Sequence, residues 1–119
     1  MPRYVVLRHE CPPDYARPSH WDLMLEVGDG LRTWAIPLEP SPGASMIAEA
    51  LGDHRLEYLD YEGPVSRDRG SVARWDRGTY RVERESNEEL VVLLAGERLC
   101  GRATLTRLED DPQRWRVTF

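Results

Sequence analysis

The chain has 119 residues, 31% of them charged, and a formal net charge of −5, which fits one folded domain with a single core and excludes a disordered tail. No apolar run approaches the roughly 20 residues needed to span a bilayer, and "MPRYVVLRHE" lacks a secretory signal's apolar stretch, so the expectation is a cytoplasmic protein with no membrane partner. The acidic balance argues against a broad electrostatic grip on a nucleic-acid backbone but leaves room for a small basic pocket holding one phosphate.

In chain order, "RYVVLR" (Arg3 to Arg8) reads as a strand. The proline-rich "ECPPDYARPS" (Glu10 to Ser19) cannot be a strand interior. "HWDLMLEV" alternates cleanly: Trp21, Leu23, Leu25 and Val27 fall on one face, and His20, Asp22, Met24 and Glu26 on the other. "GDG" (Gly28 to Gly30) is a hairpin signal, with "LRTWAI" as the returning strand. "ASMIAEAL" (Ala44 to Leu51) is rich in helix formers and places Met46, Ile47, Ala50 and Leu51 on one helical face. It predicts a short helix capped by Ser41 or Ser45 and ended by Gly52. The strand-like runs "HRLEYLDYE", "GSVARWD", "GTYRVERE", "ELVVLLAG", "RLCGRATLTRL" and "RWRVTF" follow, separated by turn residues; "ELVVLLAG" cannot be phased by periodicity. The expected fold is mostly β, a compact antiparallel barrel or sandwich with one short helix, in a single domain over residues 1–119. Cys11 and Cys100 match no paired metal motif and read as free thiols.

The three histidines, His9, His20 and His54, each fall at an expected strand end beside a loop, where chemistry commonly sits on a rigid scaffold. His20 and Asp22 project from one strand face, and His9 ends a strand that can lie beside them. Two imidazoles and one carboxylate suit a divalent ion such as Mn, Fe or Zn with coordination positions left open. Spacing of this kind is a weak motif by itself, and isolated histidines are more often structural. Met24 reads as packing and Glu26 as a solvated charge. "DHRLEYLDYEG" places His54, Leu56, Tyr58 and Asp60 on one parity, so Tyr58 can reach a site centred on His54. "SRDRGS" (Ser66 to Ser71) offers Arg67 and Arg69 for a phosphate, although an exposed turn is the plainer reading.

"RYVVLRHE", "HWDLMLE", "LRTWAIPLEPS", "DHRLEYLDYEG", "GSVARWDRGTY" and "GERLCGR" together resemble, in the same order and over nearly the whole chain, the 3′-phosphoesterase domain of bacterial DNA ligase D. The resemblance implies a compact antiparallel β-barrel and manganese-dependent trimming of DNA or RNA-tipped DNA 3′ ends, removing a 3′-phosphate or a 3′-terminal ribonucleoside, with end-joining repair proteins as partners. It implies that His9, His20 and Asp22 hold the Mn2+, with Zn2+ or Co2+ as alternatives. It further implies that His54 contacts the scissile phosphate, with Tyr58 four residues on in a supporting catalytic role.

The departures from the family pattern concern phosphate. Met24 stands where the "HYDFRLE" motif has an arginine, and Met46 aligns with a second family arginine eight residues before the phosphate-contacting histidine. Gly52 replaces the glutamate of "EDH", Leu38 replaces the lysine after "SWAVP", and the glycine-rich loop before "WDRGT" is shortened to "PVSRDRGSVAR". Each lost arginine removes charge-assisted bonds worth about 1.5–3 kcal/mol. Arg67 and Arg69, in the replacing loop, are the candidate substitutes. The leading expectation is a metal-dependent phosphoesterase. The alternatives are a non-catalytic module that binds a metal or a nucleic-acid end, and an enzyme acting on a small phosphate ester.

Overall fold

In the computed structural model, residues 2–15, 17–66 and 69–119 are described. Nine strands follow one another: β1 (Arg3–Glu10), β2 (His20–Val27), β3 (Gly30–Ile36), β4 (Ser45–Arg55), β5 (Gly63–Pro64), β6 (Ser71–Glu85), β7 (Glu89–Gly96), β8 (Cys100–Arg107) and β9 (Arg114–Thr118), with a single 3-10 turn at Leu56–Leu59. All pairings are antiparallel, in the order β1-β2-β3-β4-β9-β8-β7-β6. β6 returns to pair with β1, which closes an eight-stranded barrel; β5 is a short addition to β6. Closure leaves no long strand edge exposed among the eight. No described helix is long and apolar enough to cross a membrane.

Alternation along the strands sorts side chains into two clusters. Tyr4, Val6, Leu23, Leu25, Trp34, Val92, Leu105 and Val117 are among those filling the barrel interior. Trp34 and Trp115 meet there edge to face, with ring centroids 5.6 Å apart, a favoured aromatic geometry. The opposite parity of β1 and β2 does not face open solvent. Val5, Leu7, Met24 and Leu31 form a second cluster on the outer barrel face, roofed by Leu59 of the 3-10 turn and Val72 of β6. The expected packing role of Met24 holds: it is 1% exposed. The "GDG" hairpin also forms as read, with Gly28 at φ 61° and Val27 paired to Gly30; a positive φ suits glycine.

The expected helix over Ala44 to Leu51 is a strand. β4 bridges β3 and β9, and its Met46 and Ala48 side chains enter the interior opposite Val117 and Trp115. Met, Ala, Glu and Leu prefer a helix by only tenths of a kcal/mol per residue, and an eight-residue helix is marginal alone. Two hydrogen-bonded ladders and burial of the alternating side chains outweigh that preference. Ser41, Ser45 and Gly52 therefore cap nothing. β4 instead carries a bulge: Leu31 pairs with His54 and Thr33 with Leu51, so three steps along β4 match two along β3. "HRLEYL" is likewise no strand of its own. His54 lies near the end of β4, and Leu56 to Leu59 form the 3-10 turn.

Closure is reinforced by a buried polar knot. Asp76 of β6, 1% exposed, accepts hydrogen bonds from the Tyr4 hydroxyl (2.5 Å), the Arg98 amide (2.8 Å) and the Leu99 amide (3.0 Å). Burial, and then the Asp76 carboxylate, push the Tyr4 hydroxyl pKa far up, so it stays a donor. Gly96 makes the approach possible: a Cβ there would lie 1.8 Å from the Tyr4 hydroxyl. Asp76→Ala strands these donors, and the expected cost is about 3–5 kcal/mol. Urea denaturation checks this; a midpoint shift worth less than about 1 kcal/mol would contradict the assigned role.

Candidate metal centre

His9 ends β1 and His20 begins β2, and the two are direct cross-strand partners. Their rings lie 4.9 Å apart between centroids. Asp22 follows on the same outer face of β2, and its carboxylate reaches both rings: Oδ2 is 3.4 Å from His9 Nδ1, and Oδ1 is 3.0 Å from His20 Nε2. His20 and Asp22 are buried, at 5% and 3% exposure. The sequence-based placement of His9 beside the His20–Asp22 pair is thus what the register brings about.

Backbone carbonyls fix the ring tautomers. A carbonyl only accepts, so His20 Nδ1, 2.9 Å from the Pro18 carbonyl, carries its proton, as does His9 Nε2, 2.7 Å from the Arg69 carbonyl. In neutral rings the lone pairs are then on His20 Nε2 and His9 Nδ1, the two atoms turned toward Asp22. Backbone orientation of a ring through its far nitrogen is the usual support of a metal-ligating histidine. Gly70, at φ 92°, holds the Arg69 carbonyl in place; a Cβ there would fall 1.8 Å from the Glu10 carbonyl oxygen.

The donor set fits a divalent ion. Asp22 Oδ1 is buried with no hydrogen-bond partner among the described residues; its 3.0 Å contact with His20 Nε2 is an approach of charges, not an aligned bond. Lone pairs facing lone pairs in a buried site need a proton or a cation between them. Donors about 2.1 Å from a common tetrahedral ion stand about 3.4 Å apart, close to the observed spacings. The grouping whose ligand atoms all lie within 4.8 Å of one another is His9, Cys11 and His20. Cys11 Sγ lies 4.0 Å from His20 Nδ1, the nitrogen that donates to Pro18, so the carboxylate is better placed than the thiol to share an ion with His20 Nε2. Both cysteines are free, as expected, and burial raises the Cys11 pKa, favouring the thiol.

A cavity of about 160 Å³ opens over these residues and is also lined by Arg17, Met24, His54, Tyr58 and Arg69. His54 faces it because the β4 bulge turns it outward; its Nδ1 is 2.9 Å from the Gly52 carbonyl, which leaves Nε2 available. The Tyr58 ring stands edge to face with His54 at 5.8 Å, so the pair meets through the 3-10 turn and not through strand parity. Met46 faces the opposite way, into the interior core. The bulge lies between it and His54, so Met46 is not at the centre. Arg69 presents its carbonyl to His9 and ties its guanidinium to the Ser66 carbonyl and hydroxyl. Arg67 lies outside the described residues. Glu26, read as solvated, accepts the Arg3 amide at 2.8 Å. Sequence reading missed Cys11, Tyr15 and Arg17 at this site. The i,i+2 step from His9 to Cys11 was the available sign for the thiol.

An eight-stranded antiparallel barrel with a histidine–histidine–carboxylate cluster on its outer face, beside a small cavity holding a third histidine, defines the class: a small β-barrel with a candidate metal centre on its outer face. A family model for the DNA Ligase D 3′-phosphoesterase domain matches residues 13–107, and the chain belongs to that family. It is 34% identical over 125 residues to the multifunctional non-homologous end joining protein LigD of Pseudomonas aeruginosa. It is 36% identical over 121 residues to the multifunctional non-homologous end joining DNA repair protein LigD of Mycobacterium tuberculosis. These alignments take in 95% and 94% of this chain but only 14% and 15% of those proteins.

The centre's protonation sets two expectations. Burial alone would raise the Asp22 pKa, but the close approach of the His20 and His9 rings reverses that and holds it down to about 2. The bond to Asp22 raises the His9 pKa above 6.5, against the opposing effect of burial. In metal-free protein the Asp22 contribution is present above the unfolded value of 3.8 and lost as pH falls toward about 2. The His9 contribution is present below 6.5 and lost as pH rises through its raised value. The thermal midpoint of metal-free protein is therefore expected to fall as pH rises from 6.5 through the raised His9 value, and His9→Ala is expected to remove that decline; a flat profile in the parent chain would refute the pairing. Ion affinity moves the other way, because ions compete with protons for the same lone pairs. Asp22→Ala is expected to weaken divalent-ion binding at the candidate centre by about 100-fold while the barrel stays folded, as read by calorimetric titration and circular dichroism.

Proposed function

We propose that the chain is a metal-dependent phosphoesterase of the DNA 3′-end-healing type, removing a 3′-phosphate or a 3′-terminal ribonucleoside in DNA repair. The observation that carries this reading is the convergence of all three histidines and Asp22 on one small cavity, in a chain of the 3′-phosphoesterase family. In this reading His9, His20 and Asp22 hold the ion, with Mn2+ favoured over Zn2+ or Co2+ by the family resemblance. A bound divalent ion supplies Lewis-acid polarisation of a phosphoryl oxygen and lowers the pKa of water. The chain's own groups do the rest. The Pro18 and Arg69 carbonyls keep both ligand rings in one tautomer. His54, anchored through Nδ1, presents Nε2 to the phosphate as donor and proton source. Tyr58 holds the His54 ring edge-on, and the roof of Leu59 and Val72 limits water on one side.

The partners in this reading are DNA or RNA-tipped DNA 3′ ends, and end-joining repair proteins of the kind the relatives' names describe. The test is Mn2+-dependent release of phosphate or a ribonucleoside from a primer–template. Asp22→Ala is expected to abolish it, and His54→Ala to slow it about 10²–10⁴-fold, the usual worth of a general acid–base group. Loss of neither would overturn the assignment.

One observation favours a second reading. Met24, apolar and buried, lies in the cavity wall where the family motif carries a phosphate-binding arginine. A non-catalytic module that binds a metal or a nucleic-acid end would tolerate that change. Saturable end binding with no turnover under Mn2+, Zn2+ and Co2+ is what this reading expects.

A further inference from the structure

The cavity keeps His54 but has lost the strand arginine, so an anion there needs positive charge from elsewhere. Arg17, from the proline-rich segment between β1 and β2, lines the cavity together with Asp22, Met24 and His54. It also lines a larger open groove of about 660 Å³ that runs past His20 to Ala35, Ile47 and Glu49. Arg17 thus stands where the two spaces meet.

The sheet explains how it is held there. Asp22, Ala35 and Glu49 are successive cross-strand partners on β2, β3 and β4, one row on the outer face. Ala35 between the two acids carries only a methyl group, so a long side chain can lie across it. Arg17 Nη2 donates to Glu49 Oε2 at 2.9 Å. That bond first, and then the nearby acidic charges of Glu49 and Asp22, raise the Arg17 pKa further. A guanidinium has five N–H donors in a fixed fork, and one carboxylate oxygen engages only part of it. Arg69, the other described arginine on the cavity, spends its guanidinium on Ser66.

We propose that Arg17 is the phosphate-binding arginine of this chain, taking over from a loop the contact that the strand position at Met24 no longer supplies. The anion it takes is a terminal phosphate ester, bound between Arg17 and His54, with the ester group directed along the groove. The assignment rests on the reading that this cavity receives phosphate. It predicts that the proline-rich segment between His9 and His20 is part of the site.

The test is titration of inorganic phosphate into the metal-free full chain, so that no ion can hold the anion, followed by the nuclear magnetic resonance shifts of the His54 ring. Arg17→Ala is expected to weaken binding about ten- to hundredfold, in line with loss of a charge-assisted contact. Arg17→Lys is expected to restore part of it. Wild-type affinity in Arg17→Ala, or no saturable shift in the parent chain, would each overturn the proposal. The Mn2+-dependent end-trimming assay separates the two readings. Phosphate binding that depends on Arg17 in a chain that trims no 3′ end keeps the Arg17 assignment and removes the proposed activity. An active chain with full activity and full phosphate affinity in Arg17→Ala removes the Arg17 assignment alone.

Discussion

The pairing of β1 on both edges is the constraint on which the rest of the structure depends. β2 lies along one side of β1 and β6 along the other, so β1 closes the barrel. It is also covered on both faces: Tyr4 and Val6 enter the interior, while Val5 and Leu7 lie under the roof segment. A strand with no free edge and no free face has little freedom to slip. A one-residue slip would move His9 and Leu7 to the wrong side together. The direct His9–His20 register, and so the whole centre, is inherited from that closure. The Tyr4–Asp76 knot ties β1 to β6 from the inner side, so the scaffold and the centre both depend on β1.

The site lies outside the barrel, and the interior explains why. Trp34, Trp115 and the aliphatic side chains around them fill the interior to the exclusion of solvent, where a carboxylate and two imidazoles would bear the full cost of desolvation without access for an ion or a substrate. The outer face, with a partial roof, gives an intermediate environment. Asp22 is buried enough for its contacts with His9 and His20 to be strong, yet the cavity above it stays open at Arg17 and His54. The cost of burying Asp22 is offset by its contacts with the His9 and His20 rings.

Much of this was legible in the sequence, for physical reasons that differ by element. Period-2 alternation is a local signal, so "HWDLMLEV" revealed both its strand and its polar face. The barrel was legible because closely spaced strand-like runs leave few other ways to bury apolar faces. β4 was not, because Met46, Ala48 and Glu49 have helix preferences, and only the neighbours β3 and β9 make the extended form win. The β4 bulge was also invisible: despite an even separation in sequence, Met46 lies on the inner face and His54 on the outer one. Tyr58 was matched to His54 by a parity the chain does not follow, although a 3-10 turn brings the rings together all the same.

The proline-rich segment shows the opposite limit. Its sequence says only that it is not a strand interior, because prolines cannot join a ladder. What it positions depends on where its ends are anchored, and both ends join strands of the candidate centre: Cys11 lies two residues after His9, and Pro18 two residues before His20. A loop tied at such points delivers its side chains over the centre whatever its internal conformation. Pro18 orients a ring through its carbonyl, and Arg17 reaches across Ala35 to Glu49. Phosphate recognition has few geometric demands beyond a guanidinium at the right distance with its fork turned inward. A loop can meet them as well as a strand can, provided a carboxylate such as Glu49 holds the fork in one place. At the strand position itself, Met24 packs its thioether with Val5, Leu7 and Leu31 in the outer cluster, which leaves charge at the cavity to the loop.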